Sequence, residues 1–247
     1  PLAPTYPFRL HQAVKGADIV ALQAPFPLAD PVVAALPAST GLVVHWHSDI
    51  IRQKRSSAIL APLRRRMLER ADAIITTHES ILDHTEVLKP YSGKIVVIPY
   101  GINVEYWQTT TPADDQAIAS LKRKHPTLFV AVGRLVTYKG FDVLLTAMTQ
   151  VDGQLVICGD GPERERLHAL AAELGVADRV TFAGKVSIGE MKRYLKAATC
   201  FVFPSVTAAE TFGIVQLEAM AMGLPVINTA LTTTVPHVAR HGQEALT

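Results

Sequence analysis

Two carboxylates, Glu210 and Glu218, lie eight residues apart in SVTAAETFGIVQLEAMAMG, one in a loop and one inside the helix that follows. An acidic side chain within an apolar helix is costly unless it is solvated or paired. Glu218 is followed by the small residues Ala219 and Ala221, which leave room beside a ligand. It can accept hydrogen bonds from two ribose hydroxyls, and Glu210 can do the same for the hydroxyls of a sugar. The structural alternative is a Glu210 favoured by the helix dipole and a Glu218 held in a salt bridge. Between the two, Phe212 and Gly213 allow a tight approach, and the N–H groups of Gly213 and Ile214 form a candidate anion site.

A second cluster is Gly133, Arg134 and Lys139 in VGRLVTYKG. A glycine directly after a strand lets the backbone approach a ligand, and strand-to-helix loops are where open α/β sheets bind ligands. Two cations beside a helix start suit a diphosphate, whose charge grows as its bond to a sugar breaks; the plainer reading is two solvated surface cations. In CGDGPERERL, Gly159 and Gly161 read as a strained turn, with Pro162 opening a helix and Asp160 structural. Gly184 and Lys185 in FAGKVS follow another strand and offer contacts to a base. His45 and His47 alternate onto one face at the end of the strand LVVHWHS, where a histidine can meet a donor sugar or an acceptor. With Asp49 they make only a weak metal set, because no clear third ligand is present. Gly101 and Asn103 in PYGIN end a further strand and read as cleft-lining. His78 and His84 read as ordinary polar residues. No Walker loop, no G-x-S-x-G elbow and no Cys/His acyl-transfer pattern is present.

These groups need strand ends to hold them. Val- and Ile-rich runs give strands ending near Gln23, over Leu42–Ser48, Ala73–Thr77 and Lys94–Pro99. A basic helix covers Ser57–Ala71, and Ser80 is a candidate cap for the helix after the third strand. From Phe129 onward strand and helix alternate regularly, as in a doubly wound parallel sheet covered on both faces. VEYWQTTTPADDQ is polar and reads as a linker, with a boundary near residue 108. The chain opens on proline rather than methionine and stops at HGQEALT without a closing helix, which reads as a fragment or a processed piece.

Formal charge is +2, from 24 basic and 22 acidic residues, which argues for no nucleic acid as partner. The bases are nevertheless bunched at Arg52, Lys54, Arg55, Arg64, Arg65, Arg66 and Arg70. That run is a solvated helix face or a contact for anionic lipid or a phosphate-bearing acceptor. Cys158 and Cys200 sit in apolar segments and read as buried free thiols in a reducing compartment. No stretch has the length and apolarity of a membrane span, and the start lacks a signal-peptide pattern. The expected location is cytoplasmic, with a peripheral place on the inner face of the membrane.

Several segments together resemble one family: IPYGIN at 98–103, VGRLVTYKGFDVLLTA at 132–147, VICGDGPERERL at 156–167, VTFAGKV at 180–186 and FPSVTAAETFGIVQLEAMAMGLPVI at 203–227. They look like the retaining nucleotide-sugar glycosyltransferases of family 4, and the last motif is the most specific. The resemblance implies an α/β fold of GT-B architecture, two Rossmann-like domains, both incomplete in this chain: the acceptor domain over 1–108 and the donor domain over 109–247. It implies that Arg134 and Lys139 bind the donor diphosphate, Glu210 the transferred sugar, and Glu218 the ribose. The backbone at Phe212, Gly213 and Ile214 would lie near sugar and phosphate, and His47 near the sugar and the acceptor. Gly133 and Lys185 complete the expected donor contacts. No metal and no cofactor is implied; the donor, a GDP- or UDP-sugar, is a substrate, and the acceptor a glycan or lipid-linked glycan. The glycine-rich loop after the family's first strand is not in this sequence. A nucleotide-sugar epimerase and a non-catalytic nucleotide-sugar-binding fragment are the alternatives.

Overall fold

The structure, a computed structural model, describes residues 5–48 and 54–247. It falls into two units, Pro1–Tyr100 and Gly101–Thr247, each built on its own parallel sheet.

The first unit runs α1 (Tyr6–Ala13), β1 (Ile19–Ala24), α2 (Asp30–Ala34), β2 (Gly41–Trp46), α3 (Lys54–Arg70), β3 (Ala73–Thr76), α4 (Ile81–His84), a 3-10 segment (Glu86–Lys94) and β4 (Ile95–Val97). The sheet order is β1-β2-β3-β4. Leu42, Val44 and Trp46 alternate along β2 and are buried. They share a core with Met67 and Leu68 of α3 and Ile74 of β3, as the period of two along a strand requires. The expected coverage of both sheet faces is incomplete here. Ile19 of β1 and Val96 and Val97 of β4 stay exposed, because these are the two edge strands. Ser80 does not cap a helix: its side chain makes no cap bond, and its hydroxyl pairs with His78 Nδ1 at 2.9 Å. The helix expected there lasts one turn, because Thr85 leaves helical geometry (φ −112°, ψ 80°).

The second unit runs α5 (Val104–Gln108), α6 (Pro112–Lys124), β5 (Leu128–Val132), α7 (Phe141–Ala147), β6 (Gln154–Cys158), α8 (Arg164–Glu173), β7 (Val180–Gly184), α9 (Ile188–Ala197), β8 (Cys200–Val202), α10 (Val215–Ala221), β9 (Val226–Ile227), α11 (Val235–Val238) and β10 (Ala245–Leu246). The order is β10-β9-β8-β5-β6-β7. The sheet is buried on both faces along β5, β6 and β8, while Ile227 of β9 and Leu246 of β10 are exposed. One face carries Leu128, Val130, Phe201 and Phe203 against Leu195 of α9 and Ala219 of α10. The other carries Ala131, Leu155 and Ile157 against Leu145 of α7 and Leu167 of α8. Cys158 and Cys200 are free and buried, one in each core, and burial pushes their thiols up to about 12 and about 11.

Two expectations change. The two compact units divide after Tyr100, and the segment read as a linker near residue 108 forms α5 and α6. Trp107 is 6% exposed and belongs to the second unit's core. Thr111 and Asp114 close a reciprocal capping box, with Pro112 in the first turn. Arg193 of α9 bonds Asp114 at 2.6 Å. The helix α6 buries no residue fully, and that is why its sequence has the polarity of a linker. The segment HGQEALT, read as an abrupt ending, supplies β10 and extends the sheet beyond β9.

Candidate active site

From β5 the chain proceeds to β6 and β7 on one side and to β8, β9 and β10 on the other. The loops after β5 and β8 therefore part at the sheet's carboxyl edge, the switch point where doubly wound sheets open a crevice. These two loops are tied together. Val206 N–H donates to the Tyr138 carbonyl at 2.9 Å, and Lys139 forms an ion pair with Glu210. Ser205, fully buried, donates its hydroxyl to Glu210 Oε2 at 3.0 Å. The Lys139 ammonium also stands 5.0 Å over the Phe203 ring, within cation–π range. Lys139 and Ser205 both take Oε2. Among the described residues Oε1 has no hydrogen-bond partner and is left to accept from a ligand.

Beside this pair lies a cleft of about 940 Å³ formed by the ends of β5, β6 and β7. Gly133 and Arg134, Cys158 to Gly161, Lys185 and Met191 line it. Its floor is laced by backbone bonds: Gly133 N–H to Cys158 O at 3.0 Å, Gly159 N–H to Gly184 O at 2.8 Å, and Leu135 N–H to Asp160 O at 3.1 Å. Gly159 holds φ at 144°, and a Cβ there would stand 1.8 Å from the Gly133 carbonyl oxygen. The strand ends meet at a distance that only glycine permits. Asp160 serves the turn, accepting from Gly161 N–H at 2.8 Å and lying 3.7 Å from Arg164. Arg134 and Lys185 are exposed, and among the described residues neither side chain has an ion-pair or hydrogen-bond partner. Two unneutralised cations in one cleft attract a multiply charged anion, and a guanidinium can hold phosphate oxygens bidentately.

The remaining expected contacts lie on the β8 side. Phe212 is buried and Ile214 is exposed. Gly213 joins them at φ 74°. Glu218 is half-buried on α10, and burial raises its carboxyl above the ordinary value. The salt bridge offered as the alternative is not formed among the described residues. The cleft thus brings together Gly133, Arg134 and Lys185, whereas Lys139 and Glu210 pair across adjacent loops, and Phe212, Gly213, Ile214 and Glu218 follow in chain order.

In the first unit His47 stands just past β2 and Gln23 within β1. His47 Nδ1 pairs with the Tyr100 hydroxyl and Nε2 with Gln23 Oε1. His45 lies on the same side, its ring 6.4 Å from that of His47. Burial, and then His45, lowers the His47 pKa, so the neutral ring is favoured. Burial raises that of Tyr100. Asp49 and Arg52 lie outside the described residues, as do the side chains of Lys54 and Arg55. Among the described residues no group of three His, Cys, Asp or Glu side chains is arranged for a metal, and no helix is long and apolar enough to cross a membrane. In the basic run Arg65 pairs with Glu69 at 2.8 Å, and Arg70 bonds Asp72 at 3.2 Å and the Pro37 carbonyl at 2.8 Å. Asn103, expected to line a cleft, borders a smaller cavity of about 460 Å³ and also caps α5 by accepting from Tyr106 N–H at 2.9 Å. Ser205, Gln23 and Tyr100 were not singled out as site residues in the sequence; Tyr100 stood inside IPYGIN and Ser205 inside FPSVTAAETFGIVQLEAMAMGLPVI, whereas Gln23 marked only a strand end.

Residues 113–247 match the glycosyl transferases group 1 family and residues 1–106 match Glycosyltransferase Family 4. The chain belongs to the family 4 glycosyltransferases. Among relatives of this glycosyltransferase chain, the D-rhamnosyltransferase WbpZ of Pseudomonas aeruginosa is 33% identical over 93% of the chain and 60% of the relative. The O-antigen chain mannosyltransferase C of Escherichia coli is 31% identical over 91% and 60%. The chain therefore spans about three fifths of the length of these relatives. Sucrose-phosphate synthase from Thermosynechococcus elongatus superposes with a TM-score of 0.80 at 26% identity, covering 98% of this chain and 64% of that one. Anabaena HepE in complex with UDP and glucose gives 0.78 at 21% identity, over 99% and 69%. The fold is that of GT-B glycosyltransferases, as the family 4 motifs implied.

Proposed function

We propose that the protein transfers a hexose, with retention of configuration, from a nucleoside diphosphate sugar to a hydroxyl of a glycan or lipid-linked glycan, with GDP-mannose as the favoured donor. The observation that carries this reading is the pair of unneutralised cations, Arg134 and Lys185, in a cleft one loop away from a buried carboxylate with a free oxygen, Glu210 Oε1. Cations suit the diphosphate and a carboxylate acceptor suits sugar hydroxyls. The names of a mannosyltransferase and a rhamnosyltransferase among the relatives, and of UDP in a structural neighbour, agree with a nucleotide-linked sugar.

In this reading the second unit is the donor unit and the first the acceptor unit. Arg134 and Lys139 hold the diphosphate and balance its growing charge in place of a metal. Glu210 orients the transferred sugar, the peptide groups from Phe212 to Ile214 face sugar and phosphate, Glu218 receives the ribose hydroxyls, and Gly133 and Lys185 flank the nucleotide. The acceptor oxygen bonds to the anomeric carbon on the face that the phosphate leaves. The carbon–oxygen bond to the β-phosphate breaks, and the acceptor proton passes to the departing phosphate oxygen. No enzyme nucleophile is required. His47, held neutral between Gln23 and Tyr100, contacts the sugar and the acceptor. The test is turnover of a panel of GDP-, UDP- and ADP-hexoses by the full protein. Release of nucleoside diphosphate with formation of a glycoside is expected; no turnover of any donor overturns the proposal, and an isomerised free donor would mark an epimerase.

A further inference from the structure

Gln216 lies on α10 between Phe212–Gly213 and Glu218, yet its side chain is fully buried and points away from the cleft chemistry. Its amide is fully used. Nε2 donates to the Phe212 carbonyl at 3.1 Å and to the Val235 carbonyl at 3.4 Å. Oε1 accepts from Asn228 Nδ2 at 3.0 Å. Asn228, 5% exposed, is used just as completely. Its Nδ2 also donates to the Ala239 carbonyl at 2.9 Å, and its Oδ1 accepts from the Thr247 hydroxyl at 2.6 Å. Each amide nitrogen faces two carbonyl oxygens, so neither side chain can flip without setting oxygen against oxygen. A buried, satisfied polar network of this kind fixes one arrangement of the backbone it touches.

The backbone it touches is the peptide that joins Phe212 to Gly213. Gly213 sits at φ 74°, where a Cβ would stand 2.4 Å from the Phe203 ring and 3.1 Å from Gln216 Nε2. The ring on one side and the amide on the other leave that peptide a single orientation. With its carbonyl turned inward to Gln216, the N–H of the same peptide is directed the opposite way. We infer that Gln216, locked by Asn228, is a positioning residue that aims the 212–213 peptide N–H at the transferred-sugar end of the donor. This deepens the proposed donor site and rests on it. Gln216 touches no substrate; it acts through the peptide it holds.

The experiment compares Gln216→Met, of similar volume, and Asn228→Ala with the unaltered full protein. It reads the affinity for GDP and UDP by calorimetry and kcat and KM for the nucleotide sugar by turnover. A peptide aimed at the sugar end predicts a split. In Gln216→Met, kcat/KM for the nucleotide sugar falls about tenfold while the nucleoside diphosphate Kd stays within about twofold, as expected for one misdirected hydrogen bond. Asn228→Ala shows the same split at about threefold. Losses that run in parallel in both readouts, the result of a loosened unit, overturn the inference, and so do unchanged kinetics. If Gln216→Met does not fold, Asn228→Ala decides by the same criterion. An unaltered protein that neither binds nor turns over a donor defeats the functional reading itself, which is a different result from an active protein whose variants show no split.

Discussion

The Lys139–Glu210 pair is the most informative place to perturb the second unit. The two side chains are 14% and 11% exposed, so solvent screens them little. Replacing Lys139 with Met keeps the aliphatic stem and removes the ammonium. Among the described residues Glu210 is then left with the Ser205 hydroxyl at 3.0 Å as its one hydrogen-bond partner, and the cation over the Phe203 ring is lost. Removing one member of a buried ion pair costs about 3–5 kcal/mol, because the other charge stays desolvated. Glu210→Gln strands the ammonium in the same way. The double variant removes both charges and both desolvation penalties, and we expect it to return to within about 2 kcal/mol of the parent. The coupling in a double-mutant cycle, the two single losses less the double loss, should therefore reach at least about 4 kcal/mol. For a protein of this size each single variant should lower Tm on the order of 10 °C. Urea unfolding of the four proteins is the assay. Single losses below about 1 kcal/mol that simply add would refute a buried, coupled pair at the switch point.

Other residues give sharper steric and titration tests. Gly159→Ala puts a Cβ 1.8 Å from the Gly133 carbonyl oxygen at φ 144°; strand ends must part by about 1.5 Å, costing about 2–4 kcal/mol and at least tenfold in nucleoside diphosphate affinity if the cleft floor is the site, and wild-type Tm and binding would refute that geometry. Trp107→Ala should cost about 3–5 kcal/mol, read by thermal unfolding, because Trp107 belongs to the core; a loss within about 0.5 kcal/mol would restore the linker reading. Asp30 is buried and its carboxyl is raised to about 6, by burial and against the pull of Arg64. The folded chain then holds that proton more tightly than the unfolded one between pH about 4 and 6, so stability falls as pH rises through that window and Asp30→Asn flattens the slope. His47 has the opposite sense. Its depressed pKa means that the unfolded chain protonates first below about 6.5, so stability falls as pH falls there, and His47→Gln removes that part of the slope in urea titrations at stepped pH.

Much of this was legible in the sequence because parallel strands buried on both faces spell themselves in Val and Ile runs. The segments LFVAV and QLVIC are strands β5 and β6 as read, and Arg134, Lys139, Glu210 and Glu218 stand on strand-end loops or the helix beyond, as the motifs required. The pairing of Lys139 with Glu210 was not legible. It depends on β8 lying beside β5, which the strand order decides and the local sequence does not. The helix α6 was misread because its exposed surface has the same polarity as a linker; the Thr111/Asp114 cap was the overlooked signal. Gln216 carried no signal in the sequence, because its partners Val235 and Asn228 are distant in the chain. The Gln23–His47–Tyr100 arrangement likewise assembles residues from β1, the end of β2 and the turn after β4.

The proposed activity rests on the cleft at the ends of β5, β6 and β7 being an anion site for a nucleoside diphosphate. Calorimetric titration of the full protein with GDP, UDP and ADP, repeated on Arg134→Ala and on Lys185→Ala, tests it most directly. Saturable binding of at least one nucleotide is expected, weaker at high salt, and about tenfold weaker in Arg134→Ala, where a charge-assisted contact to phosphate is removed. Binding of none of the three, or binding that neither substitution weakens, would contradict it.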